Sequence, residues 1–154
     1  MPDNALAADI VILGAGPVGM ALGRALRDSH LRVLLVDNRP RGAWANDPRA
    51  LAIAHGSQQL LQRIDCWNPS HASAIREIHV SQQGGFGRTL IHASDYQLPA
   101  LGYVTRYHHL AEALDVSLGD TQFLAPCRVD SIFPAADAIR LSLHHRGNLL
   151  PVMA

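Results

Sequence analysis

The chain has 154 residues, no formal net charge and 48% hydrophobic residues, which is enough for one domain with a core of its own. Its basic residues are scattered, with Arg39, Arg41 and Arg49 the one local concentration, so composition gives no nucleic-acid footprint. No apolar run reaches the roughly 18 residues that a bilayer-spanning helix needs.

Cys66 and Cys127 lie far apart with no C-x-x-C, which argues against a disulfide framework or a zinc site and fits a reducing compartment. The start, Met1-Pro-Asp-Asn-Ala-Leu-Ala-Ala-Asp9, lacks the basic and apolar regions of a signal peptide. A cytoplasmic chain is expected.

The first predicted element is Ile10–Leu13, an unbroken apolar run that reads as a strand buried on both faces. Glycines follow at 14, 16 and 19, and a helix starts at once, with Val18, Ala21, Leu22, Ala25 and Leu26 on one face. A second apolar run, Leu31–Val36, ends in the carboxylate of Asp37. Strand, glycine turn, helix, strand and acid together form the pattern of a dinucleotide-binding βαβ unit.

Each residue type has a task in that pattern. Gly14 suits the tight turn, Gly16 lets a pyrophosphate approach the backbone, and Gly19 lets helix and strand pack closely. Pro17 fits the first helical turn, where its missing N–H costs nothing. The helix start offers N–H groups and partial positive charge to phosphates. Asp37, 18 residues after Gly19, can accept hydrogen bonds from a ribose and would repel a 2′-phosphate.

Residues 38–48 form a polar loop punctuated by proline and glycine. Arg49–Ala54 is extended, and a helix follows with Ser57 as its N-cap and Leu60, Leu61 and Ile64 inward, stopped by Pro69. Ile75–Ser81 and Thr89–His92 read as a hairpin across a loop containing Gly84, Gly85 and Gly87. No helix follows those glycines, so they are not a second phosphate loop. A loop over 95–101 leads to a helix over 105–116, with Thr105 as N-cap and Gly119 as its stop. Short strands are expected at 122–124, 127–133 and 138–144, with a turn at Pro134–Asp137. In the closing run, Asn148–Ala154, Pro151 is awkward for a central strand.

The nine histidines include the pairs His108-His109 and His144-His145, whose neighbouring side chains diverge, so no metal site is expected. No residue stands out as a catalytic base.

Several segments together resemble the FAD-dependent aromatic hydroxylases of the para-hydroxybenzoate hydroxylase type, most of all the branch that hydroxylates ubiquinone precursors. They are Gly14-Ala-Gly-Pro-Val-Gly19, Asp47-Pro-Arg-Ala-Leu-Ala-Ile-Ala-His-Gly-Ser57, the hairpin Ile75–Thr89, and Gly102-Tyr-Val-Thr-Arg106 with Leu110 and Leu114.

The resemblance implies that Gly14, Gly16, Pro17 and Gly19 hold the FAD pyrophosphate and Asp37 the adenosine ribose. It implies that Arg49 lies near flavin and phosphates, Arg106 near the ribityl-pyrophosphate region, and Val129 against the adenine through its backbone. In the family, NAD(P)H reduces FAD and O2 is then used to hydroxylate an aromatic ring. An apolar, prenylated substrate would add peripheral attachment to a membrane.

The family's Asp-Gly and Gly-Asp motifs are not found in this sequence. The chain is therefore expected to be the amino-terminal part of the fold: a partial FAD-binding domain over 1–154, with 71–101 beginning the substrate-domain sheet. Its fold class is α/β, a Rossmann-like parallel sheet with an antiparallel hairpin. Two alternatives remain open at this point, a non-catalytic nucleotide-binding fragment and an NAD-dependent dehydrogenase module. Oligomerisation is open too; losing strands would leave exposed edges that favour self-association.

Overall fold

A computed structural model describes residues 6–154; most of the amino-terminal stretch read for a signal peptide lies outside them. Twelve strands and three α-helices occur among these residues; three layers stack around a parallel sheet, and a further sheet and a hairpin lie beside them.

The middle layer is a parallel sheet of β2 (Ile10–Leu13), β3 (Val33–Val36) and β9 (Gln122–Leu124), with β3 in the centre. Side chains alternate across a strand. Val33 and Leu35 therefore join Ile10, Ile12 and Phe123 in a core beneath the helices. Leu34 and Val36 join Val11 and Leu124 in a second core on the opposite face. Two cores against one central strand make β3 buried throughout, as its unbroken apolar run requires.

The helical layer is α1 (Pro17–Leu26), α2 (His55–Arg63) and α3 (Tyr107–Ser117). Alpha-helix α1 turns Met20 and Gly23 inward, leaving Val18 85% exposed and Leu22 exposed. This corrects the expected apolar stripe. The close approach to β2 and α3 is made by small positions, and a Cβ on Gly23 would lie 2.9 Å from Leu118 Cδ2.

The third layer is a four-stranded sheet ordered β1 (Leu6–Ala7), β12 (Asn148–Met153), β11 (Ile139–His145) and β10 (Cys127–Pro134). It packs Leu141, Leu143 and Val152 onto the second core. Pro151 sits in β12 without disrupting it. Ile139 and Ala154 exchange both backbone bonds, so the Ser142–Pro151 pair three residues on is a non-hydrogen-bonded position. The missing N–H of Pro151 therefore removes no bond to β11. Beta-strand β1 pairs only with Val152 and Met153.

A further sheet combines β4 (Ala50–Ala54), β8 (Gly102–Arg106) and β5 (Ala72–Ile75), and a separate hairpin joins β6 (Glu77–Ser81) to β7 (Arg88–His92). The hairpin matches expectation; β5 and β8 do not. Thr105 is no helix cap. It lies in β8, where its hydroxyl donates to the His71 carbonyl at 2.8 Å, and α3 begins two residues later. Ser57 likewise lies inside α2, which starts at His55 with Ala54 as its uncapped boundary residue. Nor does Pro69 stop that helix. The turn at Asp65, with φ of 58°, comes first, and Pro69 opens a short 3-10 turn.

Candidate nucleotide-binding site

Strands β2, β3 and β9 all end at one edge of the parallel sheet, and the glycine loop leaves from that edge. Gly14 adopts φ of 105°, a left-handed value that suits glycine, while its N–H donates to the Val36 carbonyl at 2.7 Å. Gly19 is packed so tightly that an added Cβ would fall 1.9 Å from the Gly14 carbonyl oxygen. Gly16 is the opposite case. A Cβ there would meet nothing within 4 Å, so the space above it is open. Pro17 is the first residue of α1, with Gly16 as the boundary before it.

Asp37 is 8% exposed and fastens the end of β3 to this loop. One carboxylate oxygen accepts from the Ala15 N–H at 2.7 Å and the other from the Arg39 N–H at 2.7 Å. Burial raises the pKa of the group, but the N–H donors of Arg39 and Ala15 with the Arg39 guanidinium outweigh it, so the carboxyl lies below its ordinary range. The Asp37 carbonyl also accepts from Cys127, which ties β10 to the site. Val129 follows two residues later, half-buried on the second core and beside a β-bulge.

Arg49 and Arg106 are distant in sequence but adjacent in space, because Ala50 pairs with Arg106 across β4 and β8. Arg49 grips Asp47 through two N–H groups, at 2.9 Å and 2.6 Å, and this pair draws the Asp47 pKa down to about 2. Arg106 donates to the Pro48 carbonyl at 3.2 Å. Tyr107 joins the two arginine-bearing segments, donating its N–H to the Arg49 carbonyl at 2.8 Å beneath the Arg49 guanidinium. Arg39, bonded to Asp37, and Tyr107 were given no role from the sequence. The clustering of Arg39 with Arg41 and Arg49 was the available signal. Arg41 turns away to Asp115.

A larger cavity of about 670 Å³ lies at the other end of the sheet, beside Val33 and Gln122. Its arginines are committed elsewhere, Arg32 to Asp9 and Arg27 to the Ser117 carbonyl, so charge does not mark it as an anion site. Both cysteines are buried and unpaired, and no group of three potential metal ligands occurs among the described residues.

No protein-family model matches the sequence. The ubiquinone hydroxylase UbiM of Neisseria meningitidis is 30% identical over 124 residues, a match covering 70% of this chain and 26% of that protein. The ubiquinone hydroxylase UbiL of Rhodospirillum rubrum is 30% identical over 144 residues, covering 88% of the chain and 33% of the relative. Among solved structures, the anhydrotetracycline hydroxylase OxyS of Streptomyces rimosus superposes with a TM-score of 0.79 at 19% identity, over 97% of this chain and 30% of that one. The p-nitrophenol 4-monooxygenase PnpA of Pseudomonas putida gives 0.77 at 16% identity, over 98% and 40%. The chain is similar over most of its own length to these ubiquinone hydroxylases and shares the fold of the two solved hydroxylases. It spans about a quarter to a third of the length of these hydroxylase relatives. The glycine loop and Asp37 lie at the end of the parallel sheet where β2, β3 and β9 finish, the end where ligands of open α/β sheets bind.

Proposed function

We propose that this chain supplies the FAD-binding part of a monooxygenase that hydroxylates an aromatic ring, with NAD(P)H as reductant and O2 as co-substrate. The proposal extends to a ubiquinone precursor as substrate, supported by the names of the curated relatives. The reaction is proposed for a protein of their length, with 71–101 contributing the first strands of its substrate side.

The observation that carries the reading is the contrast between Gly16 and Gly19. One has open space where a phosphate would sit, while the other is locked against the turn that shapes that space. The residues fit the cofactor: Gly14, Gly16, Pro17 and Gly19 would surround its pyrophosphate, Asp37 its adenosine ribose, and Val129 its adenine. Arg49 and Arg106 would face the phosphates and ribityl chain. When bound, FAD supplies hydride acceptance from NAD(P)H and activation of O2. The protein's part is to grip, orient and shield it. Asp37 stays ionised for that grip because its N–H donors favour the carboxylate. An apolar, prenylated substrate would bring peripheral membrane attachment; no helix among the described residues is long and apolar enough to cross a bilayer.

Titrating the purified chain with FAD, and separately with NAD, tests this reading. Saturable binding with a shifted visible flavin band is expected for FAD. Asp37→Ala should weaken it about tenfold to a hundredfold, the range for a hydrogen bond to a charged group. Preference for NAD, or no binding of either, would sink the assignment of these residues to FAD.

A further inference from the structure

His71, His108 and His109 meet at one corner of the fold. His71 closes the 3-10 turn Pro69–His71 that precedes β5, while His108 and His109 stand in the first turn of α3. The rings of His71 and His109 are stacked, with centres 4.0 Å apart and planes inclined by 27°. The expected divergence of His108 from His109 does not occur, since their ring centres lie 4.2 Å apart. Stacked rings present faces rather than nitrogens to each other, so the His71–His109 pair is a contact between two segments and not a chelate.

His109 is half-buried and lines a narrow space with Cys66, Trp67, Asn68, His71 and Thr105. The charged and titratable groups around it come from four segments. They are His71 from the turn, His108 and Glu112 from α3, Arg106 from the end of β8, and the Cys66 thiol from the turn after α2. Glu112 is the one acid among them. Partial removal from water is the first cause that lowers the His109 pKa, followed by His71 and His108; Glu112 opposes the shift and Arg106 adds to it. The start of α3 carries partial positive charge, which also disfavours an imidazolium there. A stack accommodates two neutral rings, or one neutral and one charged, but two like charges so close repel.

We propose that the His71–His109 stack, with His108 beside it, is a pH-sensitive latch that fastens the turn before β5 to α3 while the rings are neutral and releases it as they gain charge. The direction follows from linkage. A histidine whose pKa is lowered in the closed form binds its proton more readily after release. The closed form is therefore complete above the ordinary imidazole value of 6.5 and is lost as pH falls below it. The backbone around the latch stays paired, since β5 is bonded to β8 and the Thr105 hydroxyl donates to the His71 carbonyl. Release is thus a local opening between turn and helix, well short of unfolding. It does not depend on the cofactor reading.

The test uses the full chain in two measurements between about pH 8 and about pH 5. In the first, NMR follows the ring-proton titrations of the histidines. His71→Phe keeps an aromatic face and removes one charge, so the His109 midpoint should rise towards 6.5. A midpoint that stays or falls overturns the coupling on which the latch depends. In the second, Trp67 emission is read in a Trp44→Phe background. Trp67 lines the same narrow space and meets Tyr103 of β8 edge-on, with ring centres 5.3 Å apart. Its emission should move to longer wavelength as pH falls, while the far-UV circular dichroism is unchanged. The His71→Phe, His109→Phe double variant should lose at least about half of that shift, because its stack carries no charge. Should the double variant fail to fold, His71→Phe alone is read in the same way, with a smaller loss expected. A folded variant that keeps the whole parental shift overturns the proposal, and so does a parent whose emission changes only when its circular dichroism does.

Discussion

On the proposed reading, two glycines three residues apart separate binding from folding. Gly19→Ala would place a methyl against the Gly14 carbonyl, so the loop or helix must move, and a loss of about 1–3 kcal/mol is expected in a thermal melt. Gly16→Ala meets no protein atom and should leave the melt within about 0.5 kcal/mol of the parent. It should nonetheless abolish tight FAD binding, because its methyl occupies the space the pyrophosphate needs. Equal loss of stability in both variants would contradict this division. At the same scale, the turn at Gly14 and the close packing at Gly19 were legible because spacing and residue type alone define them. Arg39 and Tyr107 were not, because the bonds of Arg39 to Asp37 and the seat of Arg49 on the Tyr107 ring exist only in the fold.

Elements dominated by local pattern, such as β3, the β6–β7 hairpin and the β10–β11 turn, could be read from the sequence. Those that depend on distant partners could not. Beta-strand β8 is recognisable only once β4 and β5 pair with it, and the helical pattern after it absorbed Thr105 into the wrong element. Likewise, the inward face of α1 is set by close packing at Gly23 rather than by its larger apolar residues. Thr105 now joins β8 to the 3-10 turn through the His71 carbonyl. Thr105→Val keeps the shape and removes the donor, so it should cost about 1 kcal/mol, measured by denaturant unfolding. An unchanged midpoint would show that the bond is exchanged for water at no cost.

On the scale of the whole molecule, apolar surface remains exposed at several places among the described residues, two of them at β2 with α1 and at the hairpin. Leu13, Val18 and Leu22 are exposed along β2 and α1, and Ile78, Val80 and Phe86 along the hairpin. A two-stranded ribbon is marginal in isolation, and exposed edges invite pairing. Concentration-dependent self-association is therefore expected in sedimentation velocity, with a Leu13→Lys, Val18→Lys double variant shifting the distribution towards monomer. A clean monomer for the unaltered chain at high concentration would overturn this expectation.

Beta-strand β2 was expected to be buried on both faces, yet only Ile12 is, because among the described strands β2 pairs with β3 alone. The glycine loop is thus anchored by a strand with hydrogen bonds on one flank, while β3 beside it is secured on both. Local opening follows the weaker attachment, so this edge can fray in excursions much smaller than global unfolding. A ligand held jointly by the loop and Asp37 would bridge the ends of β2 and β3. It would then suppress that fraying as well as fill the site, so the rigidity of the loop becomes a property of the occupied protein.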